Sequence, residues 1–118
     1  MRMTTQEIVK HVVGEKEFKN VYRGLHHLLS TNQYRMIREN NTLFLIHIVG
    51  KGSGHVQMLS SDEPKTIMRS MLSGLEAMKK AKYKRLYFDT THDKLPPFLK
   101  GNGYTVHDMK NNTFMVEL

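Results

Sequence analysis

A chain of 118 residues, 39% apolar and 25% charged, has material for one core and not for two, and its even composition excludes intrinsic disorder. It contains no cysteine and no apolar run near the ~20 residues that cross a bilayer, which excludes disulfides, thiolate zinc sites, a cysteine nucleophile and a membrane-spanning helix. The formal charge of +7 favours polyanionic partners, the lack of cysteine fits a reducing cytoplasm, and the polar start Met1-Arg2-Met3-Thr4-Thr5 is unlike a secretory leader.

Thr4-Thr5-Gln6-Glu7 has the capping-box pattern, and Ile8, Val9, Val12 and Val13 follow at helical spacing, so a first helix is expected to run to about Gly14. From Phe18 the residues Val21, Tyr22, Leu25, Leu28 and Leu29 recur every 3.6 positions and predict a second helix ending near Ser30-Thr31-Asn32. The pattern then changes to strands. Residues 33–39 read as one, Asn40-Asn41 as a turn, and residues 42–49 as an apolar, β-branched strand buried on both faces. The glycine-rich stretch Gly50-Lys51-Gly52-Ser53-Gly54 turns the chain into a further strand over 55–59. It does not open a helix, so it lacks the setting of a phosphate loop.

Ser61 or Asp62 is the expected cap of a third helix with Pro64 in its first turn and Ile67, Met71, Leu72, Leu75 and Met78 on one face. Residues 84–90 predict a strand. A short helical segment from His92 to about Lys100 is expected to be interrupted by Pro96-Pro97, and two strands over 104–109 and 113–118 form a terminal hairpin around Lys110-Asn111-Asn112. The fold class is α/β (α+β) in the order α-α-β-β-β-α-β-α-β-β, with a strand-helix-strand crossover that places one parallel pair inside a mostly antiparallel sheet.

This order, and the segment Phe98-Leu99-Lys100-Gly101-Asn102-Gly103-Tyr104, resemble the GCN5-related N-acetyltransferase (GNAT) fold with its first strand missing. The resemblance implies a mixed sheet flanked by helices, a cleft between two parallel strands, and acetyl-coenzyme A as cofactor if the domain is active. In active members a glycine-rich loop at the start of the third helix holds the coenzyme pyrophosphate on backbone N–H groups. The corresponding residues here are Asp62-Glu63-Pro64-Lys65-Thr66-Ile67, without a glycine and with two carboxylates expected where the phosphates would lie. Ser60, Ser61, Lys65 and Arg69 are the candidate coenzyme contacts that remain. The family's proton-donating tyrosine position holds Leu99, so no catalytic residue is assigned. Glycine-poor relatives of this kind also resemble small proteins carried by bacteriophages, in the host cytoplasm or the virion.

Asp89, Thr90 and His92 follow the strand end where α/β folds place ligands, and they form the candidate cleft. Lys79, Lys80, Lys82, Lys84 and Arg85 form the densest basic cluster. Cations at a helix C-terminus explain it more simply than a nucleic-acid contact, which would be non-specific. His47 and His55 fall on paired strands, but no His spacing supports a metal site. The sequence therefore supports three readings. The first is a GNAT-like domain that has lost acetyl transfer, needs no cofactor and acts as a binding or structural protein. Its partner is expected to be another protein or a second copy, through residues 104–118 or the cleft at Ser60, Ser61 and Asp89. The second is an active N-acetyltransferase with an atypical loop, and the third a basic module touching nucleic acid.

Overall fold

The computed structural model describes residues 2–89 and 94–118. In chain order these form α1 (Thr5–Val13), α2 (Glu15–Ser30), β1 (Tyr34–Glu39), β2 (Thr42–Gly50), β3 (Ser53–Ser60), α3 (Pro64–Lys80), β4 (Arg85–Asp89), α4 (Leu95–Gly101), β5 (Thr105–Asp108) and β6 (Thr113–Glu117). The order is the expected one. The six strands make one sheet, β1-β2-β3-β4-β6-β5, antiparallel everywhere except between β3 and β4.

Local signals account for most boundaries. The Thr4 hydroxyl accepts from the Glu7 amide at 3.1 Å while the Glu7 carboxylate accepts from the Thr4 amide at 2.9 Å, which closes the capping box. Gly14, at φ 84, separates α1 from α2, a backbone state open to glycine at little cost. Asn111 and Asn112 both lie in the left-handed region, at φ 62 and 59, and close the β5–β6 hairpin.

Helix α2 begins at Glu15, directly after Gly14 and ahead of its apolar stripe. Two local expectations are corrected. The residue preceding α3 is Glu63, which makes no side-chain cap; neither Ser61 nor Asp62 caps this helix, because both are engaged elsewhere. Pro96 and Pro97 do not interrupt α4 but lie in its first turn, where a missing N–H costs no helical bond.

The sheet separates two apolar clusters. On one face Leu43 and Leu45 of β2 meet Ile8 and Val9 of α1 and Leu25 of α2. On the other, Phe44, Ile46, Val56, Leu86, Phe88, Phe114 and Val116 pack against Met71, Leu75 and Met78 of α3 and Leu99 of α4. The strand period of two thus sends alternate β2 residues into different clusters, which is why this run reads as continuously apolar. Helix α3 approaches closely enough that a Cβ on Gly74 would lie 2.7 Å from the Phe44 ring.

Candidate functional site

Strands β3 and β4 pair only over Ser53–Arg85, Gly54–Leu86, His55–Tyr87 and Val56–Phe88. Beyond Val56, β3 continues along β2 until Ser60 lies opposite Thr42, while β4 turns its last residue, Asp89, toward Thr113 of β6. The parallel pair therefore opens at its C-terminal end.

A row of polar and aromatic side chains crosses the sheet beside that opening. Tyr34 stacks on His47 with ring centres 4.5 Å apart and an interplanar angle of 8°. His47 lies opposite His55, and His55 Nε2 is 2.8 Å from Asp89 Oδ2. Thr113 Oγ1 donates to Asp89 Oδ1 at 2.6 Å. A cleft of about 330 Å³ runs along this row, with Leu28, Leu45 and Gln57 completing its walls. The Thr113 hydroxyl, followed by His55, holds the Asp89 carboxyl below the usual carboxylate range. The Asp89 carboxylate fixes the orientation of the His55 ring, so the pair has the geometry of an oriented proton acceptor.

The start of α3 lies on the other side of the opening and is built as a polar lock. The Asp62 carboxylate accepts from the Asn41 amide at 3.0 Å and from Thr42 Oγ1 at 2.7 Å. The Ser60 hydroxyl lies 2.6 Å from Thr42 Oγ1 and accepts from the Asp62 amide at 3.0 Å. Thr42 and Ser70, both fully buried, complete the cluster, and Asn40 Nδ2 reaches Ser70 Oγ at 2.9 Å. The Ser61 hydroxyl donates to Met3 Sδ. Asp62 thus directs its charge into the β1–β2 turn, which corrects the expectation that it would stand where phosphates would lie. Glu63 remains exposed at the helix start, and Lys65 and Arg69 are exposed one turn apart.

Among the sequence-derived candidates, Ser60 and Ser61 meet in this lock, whereas Asp89 stands across the opening with His55. Thr90 and His92 lie outside the described residues. The basic cluster, Lys79, Lys80, Lys82, Lys84 and Arg85, is exposed at the opposite end of the parallel pair. There Lys82 and Lys84 share a hollow of about 490 Å³ with Lys51, a member that sequence reasoning missed. What brings Lys51 in is the carbonyl of Gly52, which accepts from the amides of Lys84 and Arg85. Leu99 is fully buried in the core, and Tyr104 donates to the Glu76 carboxylate at 2.6 Å. No three His, Asp or Glu side chains among the described residues converge as a metal site.

A mixed sheet with α1 and α2 over one face, α3 and α4 over the other, and a parallel pair opening between β3 and β4 is the fold of the GNAT acetyltransferases. The chain superimposes on the Campylobacter jejuni N-acetyltransferase PseH in complex with acetyl coenzyme A with a TM-score of 0.64, at 14% identity, covering 98% of this chain and 92% of that one. It is also similar to the ribosomal-protein-S5-alanine acetyltransferase of Vibrio fischeri, with a TM-score of 0.57, 11% identity and coverage of 99% and 89%. Tetrahymena GCN5 matches with a TM-score of 0.53, 12% identity and coverage of 94% and 84%. No family model matches the sequence, and no curated protein matches it. No described helix is long and apolar enough to cross a membrane.

The residues at the start of α3 do not fit the coenzyme pyrophosphate. Pro64 occupies the first helical position and has no N–H, while Glu63 leaves an exposed carboxylate at the helix end that would receive the phosphates. Lys65 and Arg69 supply positive charge but not the close backbone approach that a glycine permits.

Proposed function

We propose that this GNAT-fold domain has given up acetyl transfer and acts by binding a protein partner, with no cofactor. The observation that supports the reading is the start of α3, where a proline and an exposed glutamate stand in place of a glycine-rich anion cradle and Asp62 is committed to the β1–β2 turn. The cleft edged by Ser60, Ser61 and Asp89 and the hairpin over residues 104–118 are the surfaces through which a partner would bind. A bacteriophage role, in the host cytoplasm or the virion, is the setting the sequence resemblance suggests for such a protein. Calorimetry with acetyl-coenzyme A tests the reading directly. It should show no binding in the micromolar range, and micromolar affinity would overturn it.

The His55–Asp89 pair favours a second reading, an N-acetyltransferase with an unusual coenzyme grip. His55, oriented by Asp89 at 2.8 Å, would take the proton of an acceptor amine seated in the cleft. Incubation of the protein with acetyl-coenzyme A and a panel of amines separates the two: transfer abolished by His55→Ala supports the enzyme, and no transfer with any amine supports the binding protein.

A further inference from the structure

The two ends of the sheet differ in kind. At one end β5 has only 4 residues, and its exposed His107 and Asp108 approach Glu117 and Lys100. A short, charged strand of this sort blunts an edge against pairing. At the other end β1 has 6 residues, contains no proline and keeps an unbroken register with β2. Its Arg38 is turned inward, donating to the carbonyls of Asn40 and Met3 and to Asn41 Oδ1. A groove of about 490 Å³ follows this edge, lined by Leu29, Tyr34, Arg35, Met36, Ile37 and Tyr83 among others.

The ladder fixes which backbone groups remain open. The Ile48 amide donates to the Gln33 carbonyl at 2.8 Å, so the bonded positions alternate from there. Arg35, Ile37 and Glu39 turn their N–H and C=O toward β2, and Tyr34, Met36 and Arg38 turn theirs outward. Arg35 is exposed, Glu39 is half-buried, and neither forms an ion pair among the described residues.

We propose that β1 pairs with β1 of a second copy of this chain, antiparallel and centred on Ile37, joining the two sheets into one. The register follows from the residues. Outward groups must face outward groups, which allows a centre on any residue of the strand; one at Tyr34 or Glu39 overlaps little of it and one at Arg35 sets that residue against itself, which leaves Met36, Ile37 and Arg38. A centre at Arg38 sets that residue against itself and Ile37 against Glu39. A centre at Met36 sets Arg35 against Ile37 and leaves the charges unpaired. A centre at Ile37 places Arg35 opposite Glu39 of the second copy, twice by symmetry, with Ile37 against Ile37 and Met36 beside Arg38. In this register Arg35 and Glu39 meet at non-bonded positions, where opposed side chains are closest. The two-fold axis makes the contact self-complementary and closed, so it ends at a dimer. The β1 edge lies two strands from the opening between β3 and β4, so the dimer forms whether or not that opening binds a coenzyme.

Light scattering and sedimentation of the full chain test it. The wild-type protein should be a dimer that weakens with salt. Arg35→Glu and Glu39→Arg should each weaken self-association by about tenfold, because each turns both symmetric crossings from attraction to repulsion. An equimolar mixture of the two variants should recover the dimer, since it sets a carboxylate opposite a guanidinium at both crossings, and so should the double variant. Melting curves of the variants establish that each is folded. A wild-type monomer at high micromolar concentration would overturn the proposal. So would a dimer that neither swap affects, a mixture that fails to recover it, or an edge that captures a different chain in preference to its own copy.

Discussion

Replacing Asp62 with alanine separates two roles that the sequence leaves confounded. If the carboxylate merely repelled phosphate, its removal would leave stability unchanged and improve coenzyme binding. In the structure it is instead a hydrogen-bond acceptor, bonded to the Asn41 amide at 3.0 Å and to Thr42 Oγ1 at 2.7 Å. Hydrogen bonds to a charged acceptor contribute ~1.5–3 kcal/mol each when water is excluded. Asp62 is only half-buried and Thr42 keeps Ser60 as a second partner, so water and Ser60 recover part of this. We expect Asp62→Ala to cost about 2 kcal/mol. For a chain of this size that corresponds to a Tm lower by roughly 6–12 °C, and Asp62→Asn, which keeps an acceptor without the charge, should cost about half as much. Thermal unfolding followed by circular dichroism measures the loss, and calorimetry on the same samples measures acetyl-coenzyme A binding. Unchanged stability together with micromolar coenzyme affinity in Asp62→Ala would refute the assignment of this carboxylate to the β1–β2 turn.

Two glycines should respond in opposite directions in denaturant melts. Gly74→Ala drives a methyl to 2.7 Å from the fully buried Phe44 ring and should lose about 1–3 kcal/mol, whereas Gly24→Ala, with nothing within 4 Å on an exposed helix, should gain about 0.5–1 kcal/mol. The Tyr104 phenol is pushed up to about 12 by burial and then by the Glu76 carboxylate. A folded-state value above the ordinary 10.0 means its stabilising contribution is intact below pH 10 and is lost as pH rises toward 12. The Tyr104 phenol should therefore titrate late by ultraviolet absorbance, and earlier in Glu76→Gln. Any nucleic-acid affinity of the Lys51, Lys82 and Lys84 hollow should vanish at moderate salt, and sequence-selective binding that survives high salt in a titration would contradict this.

The order of elements was legible because each signal for it is local. The capping box at Thr4 and Glu7, the 3.6-residue stripes of α2 and α3, and the asparagine turns at 40–41 and 111–112 all act within a few positions. The site was legible in part. Asp89 could be placed at a strand end, but its partner His55 is 34 residues away, and only the parallel register of β3 and β4 brings the two together. The same applies to Asp62, which carries an acidic side chain at a helix start and so reads as a cap until the Asn41 amide is found beside it. Lys51 is contiguous with the basic cluster only across a backbone bond from Gly52. Side-chain type predicts local structure well, whereas the neighbour across a sheet is set by strand order, which no single segment encodes.

The two clusters of the core draw on different lengths of the chain. Every member of the first cluster lies between Met3 and Leu59, so α1, α2 and the β1–β3 meander can close on one another with short loops and little entropy to overcome. The opposite face of the same strands, carrying Phe44, Ile46 and Val56, belongs to the cluster covered by α3 and α4 and extended sideways by β4 and β6, all of which follow later in the chain. An N-terminal half that closed first during synthesis would present that apolar sheet face to solvent until α3 packs on it. In that order of assembly, slow docking past residue 60 would lengthen the exposure of an aggregation-prone surface.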